Sequence, residues 1–339
     1  MSAPIVHGGG ITEAAARFGG RFEEWLDLST GINPRPATLP DVPQQAWHRL
    51  PDRLTVDRAR EAAASHYATN GVQPLPVPGT QSVIQLLPRL VAAGRRVAVF
   101  GPTYGEYTRV LLAAGFAVDQ VERAEDLTPD HGLAVLVNPN NPTGRAFAPG
   151  HILEIAGLMK ANGGVLVVDE AFGDLQPELS VAGRVGENDN LIVFRSFGKF
   201  FGLAGLRLGF VVANDAVLDG FREWLGPWAV SGPALVISTA LMAGDTGVIA
   251  AGILERRAGL DAVLDHAGLK RIGGTGLFVL VEHAEAGALH RQLCEARILT
   301  RKFDYAPRWL RIGLAPDADG DLRLAEALRS VAMRPSGAI

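Results

Sequence analysis

The sequence predicts an α/β fold: a large domain with a mostly parallel sheet, followed by a smaller C-terminal α/β domain. Between about residues 75 and 213, short apolar runs alternate with helical stretches, which indicates βα layering. These runs are nearly continuous in apolar residues, as expected for strands covered by helices on both faces. After about residue 233, long helical periodicity replaces this rhythm and indicates the second domain.

The elements follow in order along the chain. The first forty residues are rich in Gly and Pro and predict an arm with a short helix near Thr12 to Phe18. The large-domain strands are predicted at Val97–Phe100, Ala134–Val137, Val165–Val168, Leu191–Phe194 and Leu208–Val212. The small domain is predicted to contain a strand at Gly276–Val281, a helix near Glu285–Ala296 and a strand around Trp309–Leu314. We expect an arm (1–40) that joins the small domain and the active site, a large domain (41–230) and a small C-terminal domain (231–339).

Composition excludes several classes of partner. The chain has 339 residues, 47% hydrophobic, which is enough for one large core or two connected ones. A formal net charge of -4 without a block of like charge makes nucleic acid an unexpected partner. No apolar run reaches the roughly 18 residues of a membrane span. Cys294 is the single cysteine and the start lacks a signal-peptide pattern, so we expect a cytoplasmic location. No metal site is predicted.

One lysine follows a predicted strand in a suggestive setting. Lys199 lies among apolar and small residues in the segment Ser196–Arg207. Loss of hydration disfavours the charged ammonium and leaves an amine that can form a Schiff base with pyridoxal 5′-phosphate (PLP). Taken alone, a lysine after a strand is more often an ordinary solvated residue. The prediction therefore depends on the motifs around it.

Polar motifs follow the neighbouring strands, at the edge where open α/β sheets bind ligands. Asp169 ends an apolar strand, where it could keep the pyridine nitrogen of PLP protonated. The loop 138–144 follows another strand and could be a turn only. Gly79-Thr80-Gln81 precedes a helix, whose free N–H groups suit a phosphate, although Thr80 could be a plain N-cap. Tyr104 could stack on the pyridine ring or pack in the core.

Together these motifs resemble fold-type-I PLP-dependent enzymes of the aspartate aminotransferase superfamily, over nearly the whole chain. The resemblance implies that Lys199 holds PLP covalently, Asp169 meets the ring nitrogen and Asn141 hydrogen-bonds the ring oxygen. It also implies a homodimer. The remaining implied contacts are with the phosphate, by Gly79, Thr80, Gln81, Ser196 and Arg207, and with the ring face, by Tyr104.

Within the superfamily, the chain is similar to histidinol-phosphate aminotransferases and to the L-threonine-O-3-phosphate decarboxylases of cobalamin biosynthesis. The arm, with His7-Gly8-Gly9 and Leu28–Pro34, resembles the decarboxylases, and Phe172 stands where aminotransferases usually have a tyrosine. The resemblance implies conversion of L-threonine O-3-phosphate, a small amino-acid phosphate, to (R)-1-amino-2-propanol O-2-phosphate. The implied ligands of the substrate's carboxylate and phosphate are His7, Gly8, Asn33, Asn141, Arg301 and Arg311.

Chemistry supports the two arginines independently. Planar guanidinium groups bind carboxylate and phosphate bidentately, although any one arginine can be a solvated surface residue. Two positions depart from the family pattern: Gly198 replaces a Ser or Thr beside the phosphate, and Leu50 replaces a tyrosine that crosses the dimer interface. Each missing hydroxyl removes a hydrogen bond of roughly 1 kcal/mol net, so we expect PLP binding to survive.

Three other functions are compatible with parts of the sequence. Transamination remains open, because it differs from decarboxylation only in which bond of Cα stands perpendicular to the ring. The segment 166–170 also resembles the metal-holding strand of a P-loop ATPase, but Val193 stands where the phosphate loop needs glycine, which excludes that class. A non-enzymatic, ligand-sensing aminotransferase-like module is disfavoured because the chain opens directly into the arm.

Overall fold

The computed structural model describes residues 7–332, so residues 1–6 of the predicted arm and 333–339 of the predicted small domain lie outside the described residues. Its strands, in chain order, are β1 (Leu26–Asp27), β2 (Leu75–Val77), β3 (Arg96–Phe100), β4 (Val118–Val121), β5 (His131–Val137), β6 (Val165–Asp169), β7 (Leu191–Ser196), β8 (Gly209–Val212), β9 (Lys270–Thr275), β10 (Phe278–Glu282), β11 (Ile298–Leu299), β12 (Arg301–Lys302) and β13 (Trp309–Gly313).

The helices are α1 (Ile11–Phe18), α2 (Gln44–His48), α3 (Arg53–His66), α4 (Thr80–Ile84), α5 (Glu106–Ala113), α6 (Pro149–Ala161), α7 (Phe197–Phe200), α8 (Asp215–Leu225), α9 (Gly232–Ala243), α10 (Gly247–His266), α11 (Ala286–Glu295) and α12 (Ala318–Ala332). The chain divides into two compact units. The large unit comprises Pro36–Asn141 and Arg145–Val248, and the small unit comprises residues 7–35, Pro142–Gly144 and 249–332.

A seven-stranded sheet forms the centre of the large unit, in the order β2-β8-β7-β6-β5-β3-β4. The five strands from β7 to β4 pair in parallel, while β8 is antiparallel to both of its neighbours. Helix α5 connects β3 to β4 and helix α6 connects β5 to β6, since parallel neighbours need a crossover connection. The predicted fold class, with its mostly parallel sheet, is confirmed.

Both faces of this sheet are buried. Along β3, Val97 and Val99 belong to one apolar cluster, whereas Ala98 and Phe100 belong to a second. The same division is found along β5 and β6, because successive side chains of a strand point to opposite faces. Burial on both sides explains why these strands are almost continuous in apolar residues.

The small unit contains a four-stranded antiparallel sheet in the order β12-β13-β10-β9 and a parallel pair, β1 with β11. The N-terminal segment is tied to this unit by the bond from the Gly313 amide to the Leu28 carbonyl oxygen, at 2.7 Å. The loop Pro142–Gly144 is tied to it by the bond from the Gly274 amide to the Thr143 carbonyl oxygen, at 3.1 Å.

Within residues 7–332, no single helix is long and apolar enough to cross a membrane. The pair α9 and α10 passes the test of length and composition only when taken together, with a bend of 87° between the two helices. Most of α9 is buried, and it packs against α3 in the large unit, as core helices do.

Candidate active site

The parallel register places three polar groups at one edge of the large sheet. Asp169, the last residue of β6, pairs with Val137 on one side and Phe194 on the other. The Asn138 amide, just after β5, donates to the Asp169 carbonyl oxygen at 2.8 Å. Ser196 ends β7 on the next strand. These strand ends therefore form a single row, as predicted from the motifs.

Asp169 is almost completely withdrawn from water, with 5% of its surface exposed. Its Oδ2 accepts a hydrogen bond from the Tyr107 hydroxyl at 2.7 Å, and its Oδ1 accepts one from the Ala171 amide at 3.0 Å. Burial raises the pKa of the Asp169 carboxyl above its ordinary value, while these two bonds and the charge of Lys199 act in the opposite direction. A cation placed beside the carboxylate would be strongly stabilised in such surroundings.

The adjacent acid, Glu170, forms a buried ion pair with Arg195. Its carboxylate accepts from the Arg195 guanidinium at 2.7 Å, and Asp174 lies 3.2 Å from the same guanidinium. All three side chains are nearly fully buried, so they form an internal ionic cluster. Glu170 is therefore the structural carboxylate of this pair, whereas Asp169 is held by a hydroxyl and a backbone amide.

Lys199 lies on α7, directly after β7, between the buried residues Phe197, Gly198 and Phe200. Its own side chain is half-buried, and its Nζ lies 5.8 Å from the centre of the Phe172 ring. The apolar neighbours reduce hydration of the amine, which is the condition that favours a nucleophilic lysine.

The Asn-rich loop after β5 is a turn built by its own side chains. Asn138 bonds both backbone groups of Phe147 with its side chain, and Asn140 accepts from the Thr103 hydroxyl at 2.6 Å and donates to the Pro102 carbonyl oxygen at 2.9 Å. These two asparagines build the turn. Asn141, the one predicted to contact the cofactor, is half-buried at its end.

A cradle for an anion lies at the start of α4. The guanidinium of Arg207 lies so close to Gly79 that a Cβ added there would be 2.9 Å from Nη2. Gly209, the register partner of Ser196, lies equally close to Thr80, where an added Cβ would be 3.1 Å from the Thr80 amide nitrogen. The structure thus brings Gly79, Thr80, Ser196 and Arg207 together, as predicted, with backbone N–H groups and one cation. These residues fit the phosphate of PLP.

A close backbone approach explains the missing hydroxyl at Gly198. A Cβ added at Gly198 would lie 2.7 Å from the Ala204 Cα. Real Cβ atoms do not approach backbone so closely, so the segment after Lys199 leaves no space for the Ser or Thr of related enzymes. Leu50, the other departure, is exposed.

Tyr104 and Gln81 belong to one hydrogen-bonded chain. The Gln81 amide nitrogen donates to the Glu106 carboxylate at 2.8 Å, and the Tyr104 hydroxyl donates to the Gln81 amide oxygen at 3.2 Å. Glu106 is buried, and its carboxylate also accepts from Arg109. Because a carboxylate only accepts, Glu106 fixes which end of the Gln81 amide faces Tyr104.

The small unit places its two predicted arginines side by side. Arg301 on β12 and Arg311 on β13 are register partners, so their side chains project from the same face of the sheet. Their guanidinium carbons lie 5.5 Å from the Phe303 ring centre and 5.0 Å from the Phe278 ring centre, respectively. Like charges directly opposite each other are unfavourable, so this pair is suited to an anion.

Ser29 connects Arg311 to the N-terminal segment. Its carbonyl oxygen accepts from Arg311 Nη2 at 2.6 Å, and its hydroxyl accepts from the Gly9 amide at 2.7 Å. A Cβ at Gly8 would collide with the same carbonyl oxygen, so Gly8 is packed directly on Ser29. Asn33 is buried and accepts from the Arg35 amide at 3.0 Å. The predicted residue His7 is exposed.

Three residues that contact predicted site residues were missed by the sequence reasoning: Tyr107, Glu106 and Ser29. Tyr107 had no detectable signal, because Tyr104, three positions before it, lies outside α5 and the two tyrosines share no helix face. Ser29 lies in the segment 28–34 that resembles the decarboxylase arm, but no periodicity identifies it as a partner of Arg311. Glu106 gave no signal beyond its proximity to Tyr107.

Comparisons with known proteins identify the family of the chain. Residues 23–328 match the model of the family "Aminotransferase class I and II". A threonine-phosphate decarboxylase of Sinorhizobium sp is 76% identical over 97% of this chain and 98% of its own length. One from Pseudomonas aeruginosa is 41% identical over 96% of this chain and 97% of its own length. The crystal structure of a Sinorhizobium meliloti histidinol-phosphate aminotransferase in complex with pyridoxal-5'-phosphate superimposes with a TM-score of 0.78 at 21% identity, covering 97% of this chain and 96% of that one.

The cradle around Gly79 yields a first prediction, with Gly226 as its matched control. Both glycines have positive φ, 75° and 76°, but a Cβ at Gly226 would meet nothing within 4 Å. Gly79→Ala should weaken PLP binding about tenfold, because the new methyl group displaces the Arg207 guanidinium and thereby a charge-assisted hydrogen bond. Gly226→Ala should carry only the backbone strain, about 1 kcal/mol of unfolding free energy, and leave PLP affinity unchanged. Titration of both apoproteins with PLP measures this, and equal affinities would contradict the cradle.

Proposed function

The chain belongs to the class I and II aminotransferase family, and we propose that it is the member that decarboxylates L-threonine O-3-phosphate in cobalamin biosynthesis. It is a PLP-dependent carboxy-lyase, and the product is (R)-1-amino-2-propanol O-2-phosphate. The observation that carries this conclusion is the 76% identity to a threonine-phosphate decarboxylase over nearly the full length of both chains. Similarity of fold alone would not support this conclusion, because one fold can host many functions.

The electrostatics of the small unit support an amino-acid phosphate as substrate. Such a molecule carries a carboxylate and a phosphate, and Arg301 and Arg311 present two adjacent guanidinium groups on one sheet face. Each guanidinium can bind an anionic group through two parallel hydrogen bonds. We assign binding of the two anionic groups to these arginines together with His7, Gly8, Asn33 and Asn141.

We assign a role in cofactor binding or catalysis to each site residue of the large unit. PLP, when bound, supplies the acceptor for the electron pair released at Cα. Asp169 would contact the ring nitrogen, Asn141 the ring oxygen and Tyr104 the ring face, while Gly79, Thr80, Gln81, Ser196 and Arg207 would hold the phosphate. The reaction breaks the bond between Cα and the carboxylate carbon, releases carbon dioxide and adds one proton to Cα. The Lys199 amine, or a water molecule, supplies that proton.

Two paired measurements test the reaction. The purified enzyme loaded with PLP should release carbon dioxide from L-threonine O-3-phosphate and form one equivalent of aminopropanol phosphate. It should not transfer the amino group of histidinol phosphate to 2-oxoglutarate. After borohydride reduction, peptide mapping should place the pyridoxyl group on Lys199, and a Lys199→Ala variant should release no carbon dioxide. Amino transfer without carbon dioxide release would assign the chain to the aminotransferases instead.

The role of Arg311 can be separated from its packing by a conservative change. Arg311→Lys retains the positive charge but loses the planar fork, so KM for threonine phosphate should rise about ten- to hundredfold while kcat changes less. Arg308→Lys is the matched control, because Arg308 directly precedes β13 and its side chain is 63% exposed. Steady-state kinetics measure both variants. An unchanged KM in Arg311→Lys would remove Arg311 from the substrate site.

We also propose that two copies of the chain form a homodimer. Large apolar side chains of the large unit are exposed on α2, in the loop between α2 and α3, at the start of α3 and just before α9. They are Trp47, Leu50, Leu54 and Trp228. Helix α9 packs against both α2 and α3. Large apolar side chains exposed on neighbouring elements are typical of an interface between proteins.

Sedimentation equilibrium tests the dimer. The wild-type protein should have twice the mass of one chain, and the double variant Trp47→Glu with Leu50→Glu should dissociate, because two buried unpaired carboxylates are costly at an interface. Leu158→Glu is the control, since Leu158 is exposed on α6 of the same unit and its replacement should leave the mass unchanged. A monomeric wild-type protein would refute the proposal.

A cytoplasmic location is part of the same proposal. It is supported by Cys294, a free and fully buried thiol whose pKa is raised to about 11 by burial. Such a thiol is not reactive, and a chain with one inert cysteine suits a reducing compartment.

A further inference from the structure

The hydroxyl of Tyr107 is hydrogen-bonded to the buried carboxylate of Asp169. The two residues lie 62 positions apart, on α5 and at the end of β6, and the tyrosine hydroxyl donates to Asp169 Oδ2 at 2.7 Å. Tyr107 is fully buried. With the Ala171 amide on Oδ1, each carboxylate oxygen has one donor from a different direction. The plane of the carboxylate is therefore held on both sides.

The same side chain also supports Tyr104. The rings of Tyr104 and Tyr107 meet edge to face, with centres 6.2 Å apart and planes at 83°. The Tyr104 hydroxyl is held at its far end by Gln81. Tyr107 thus touches two residues that we assign to different parts of the cofactor, the ring nitrogen and the ring face.

We propose that Tyr107 is a positioning residue for the cofactor: its hydroxyl aims the Asp169 carboxylate at the ring nitrogen, and its ring sets the plane of Tyr104. The inference rests on the proposed assignment of Asp169 and Tyr104. Burial raises the pKa of Tyr107 well above its ordinary value, so the hydroxyl remains a donor at every working pH. A fixed donor favours the ionised carboxylate, which is the form that can pair with a protonated pyridine.

The apoprotein provides a test that needs no cofactor. The charged or titratable groups that act on Asp169 are Tyr107, Lys199, Glu170 and the neighbouring Tyr104. Because the pKa of the folded carboxyl lies above the unfolded value, the folded state binds more protons between the two, and stability falls as pH rises through that interval. Tyr107→Phe removes an opposing hydrogen bond, so this fall should extend to higher pH. Urea unfolding of the apoprotein across a pH series measures it.

The loaded enzyme provides the second readout. Tyr107→Phe keeps the ring that packs on Tyr104, so it should fold, yet PLP affinity should fall roughly ten- to hundredfold. The nitrogen-15 shift of pyridine-labelled PLP should move towards the unprotonated value. Tyr67→Phe is the matched control, because Tyr67 is a second buried tyrosine of the large unit, lying 4.4 Å from the Arg195 guanidinium, and it should change neither readout.

Three outcomes would overturn the positioning role of Tyr107, and one of them also shows which assignment is wrong. Equal losses in both variants, or none in Tyr107→Phe, would overturn the positioning role and leave Tyr107 as a packing residue. A shifted pH profile in the apoprotein with unchanged PLP affinity and nitrogen-15 shift would also overturn it, and would locate the fault in the assignment of Asp169 to the ring nitrogen. Carbon dioxide release by the wild-type enzyme tests the reaction itself and is independent of these results.

Discussion

The carboxylate of Asp169 is withdrawn from water at the end of a buried strand. The free-energy cost of burying this charge explains much of the structure around it. An isolated ionised carboxylate in an apolar interior is strongly unfavourable. The structure offsets part of the cost with the Tyr107 hydroxyl and the Ala171 amide. A cation at the ring nitrogen would offset more, which links cofactor binding to the stability of the large unit. The parallel register of β5, β6 and β7 then sets which other groups can stand beside that carboxylate.

The two units present opposite electrostatic problems. The large unit buries a negative group that is best stabilised by a cation, whereas the small unit places Arg301 opposite Arg311, two positive groups best stabilised by anions. The protonated pyridine of PLP would supply a cation to the large unit, and the carboxylate and phosphate of the substrate would supply anions to the small unit.

The parts of the site that the sequence predicted are those carried by local pattern. Asp169 and Lys199 could be identified because each follows an apolar run, and the edge of a parallel sheet brings such positions together. Tyr107 and Ser29 could not, because their roles come from contacts with Asp169 and Arg311 that lie 62 and 282 positions away. The same limit applies to α9, whose packing on α3 is tertiary and leaves no trace in helical periodicity. Loop 138–144 was ambiguous in sequence because the pattern does not show which asparagines build the turn; the hydrogen bonds identify Asn138 and Asn140 as those residues.

The contact between Gly198 and Ala204 bears on how this chain and its relatives could have diverged. A serine introduced at Gly198 today would meet the Ala204 backbone before it could reach any phosphate. The backbone around Ala204 would have to move first, so the two changes are acceptable in one order and harmful in the other. The order of substitution therefore matters at these two positions. A serine at position 198 therefore requires a second change that moves the Ala204 backbone, whatever the hydroxyl would contribute to cofactor binding.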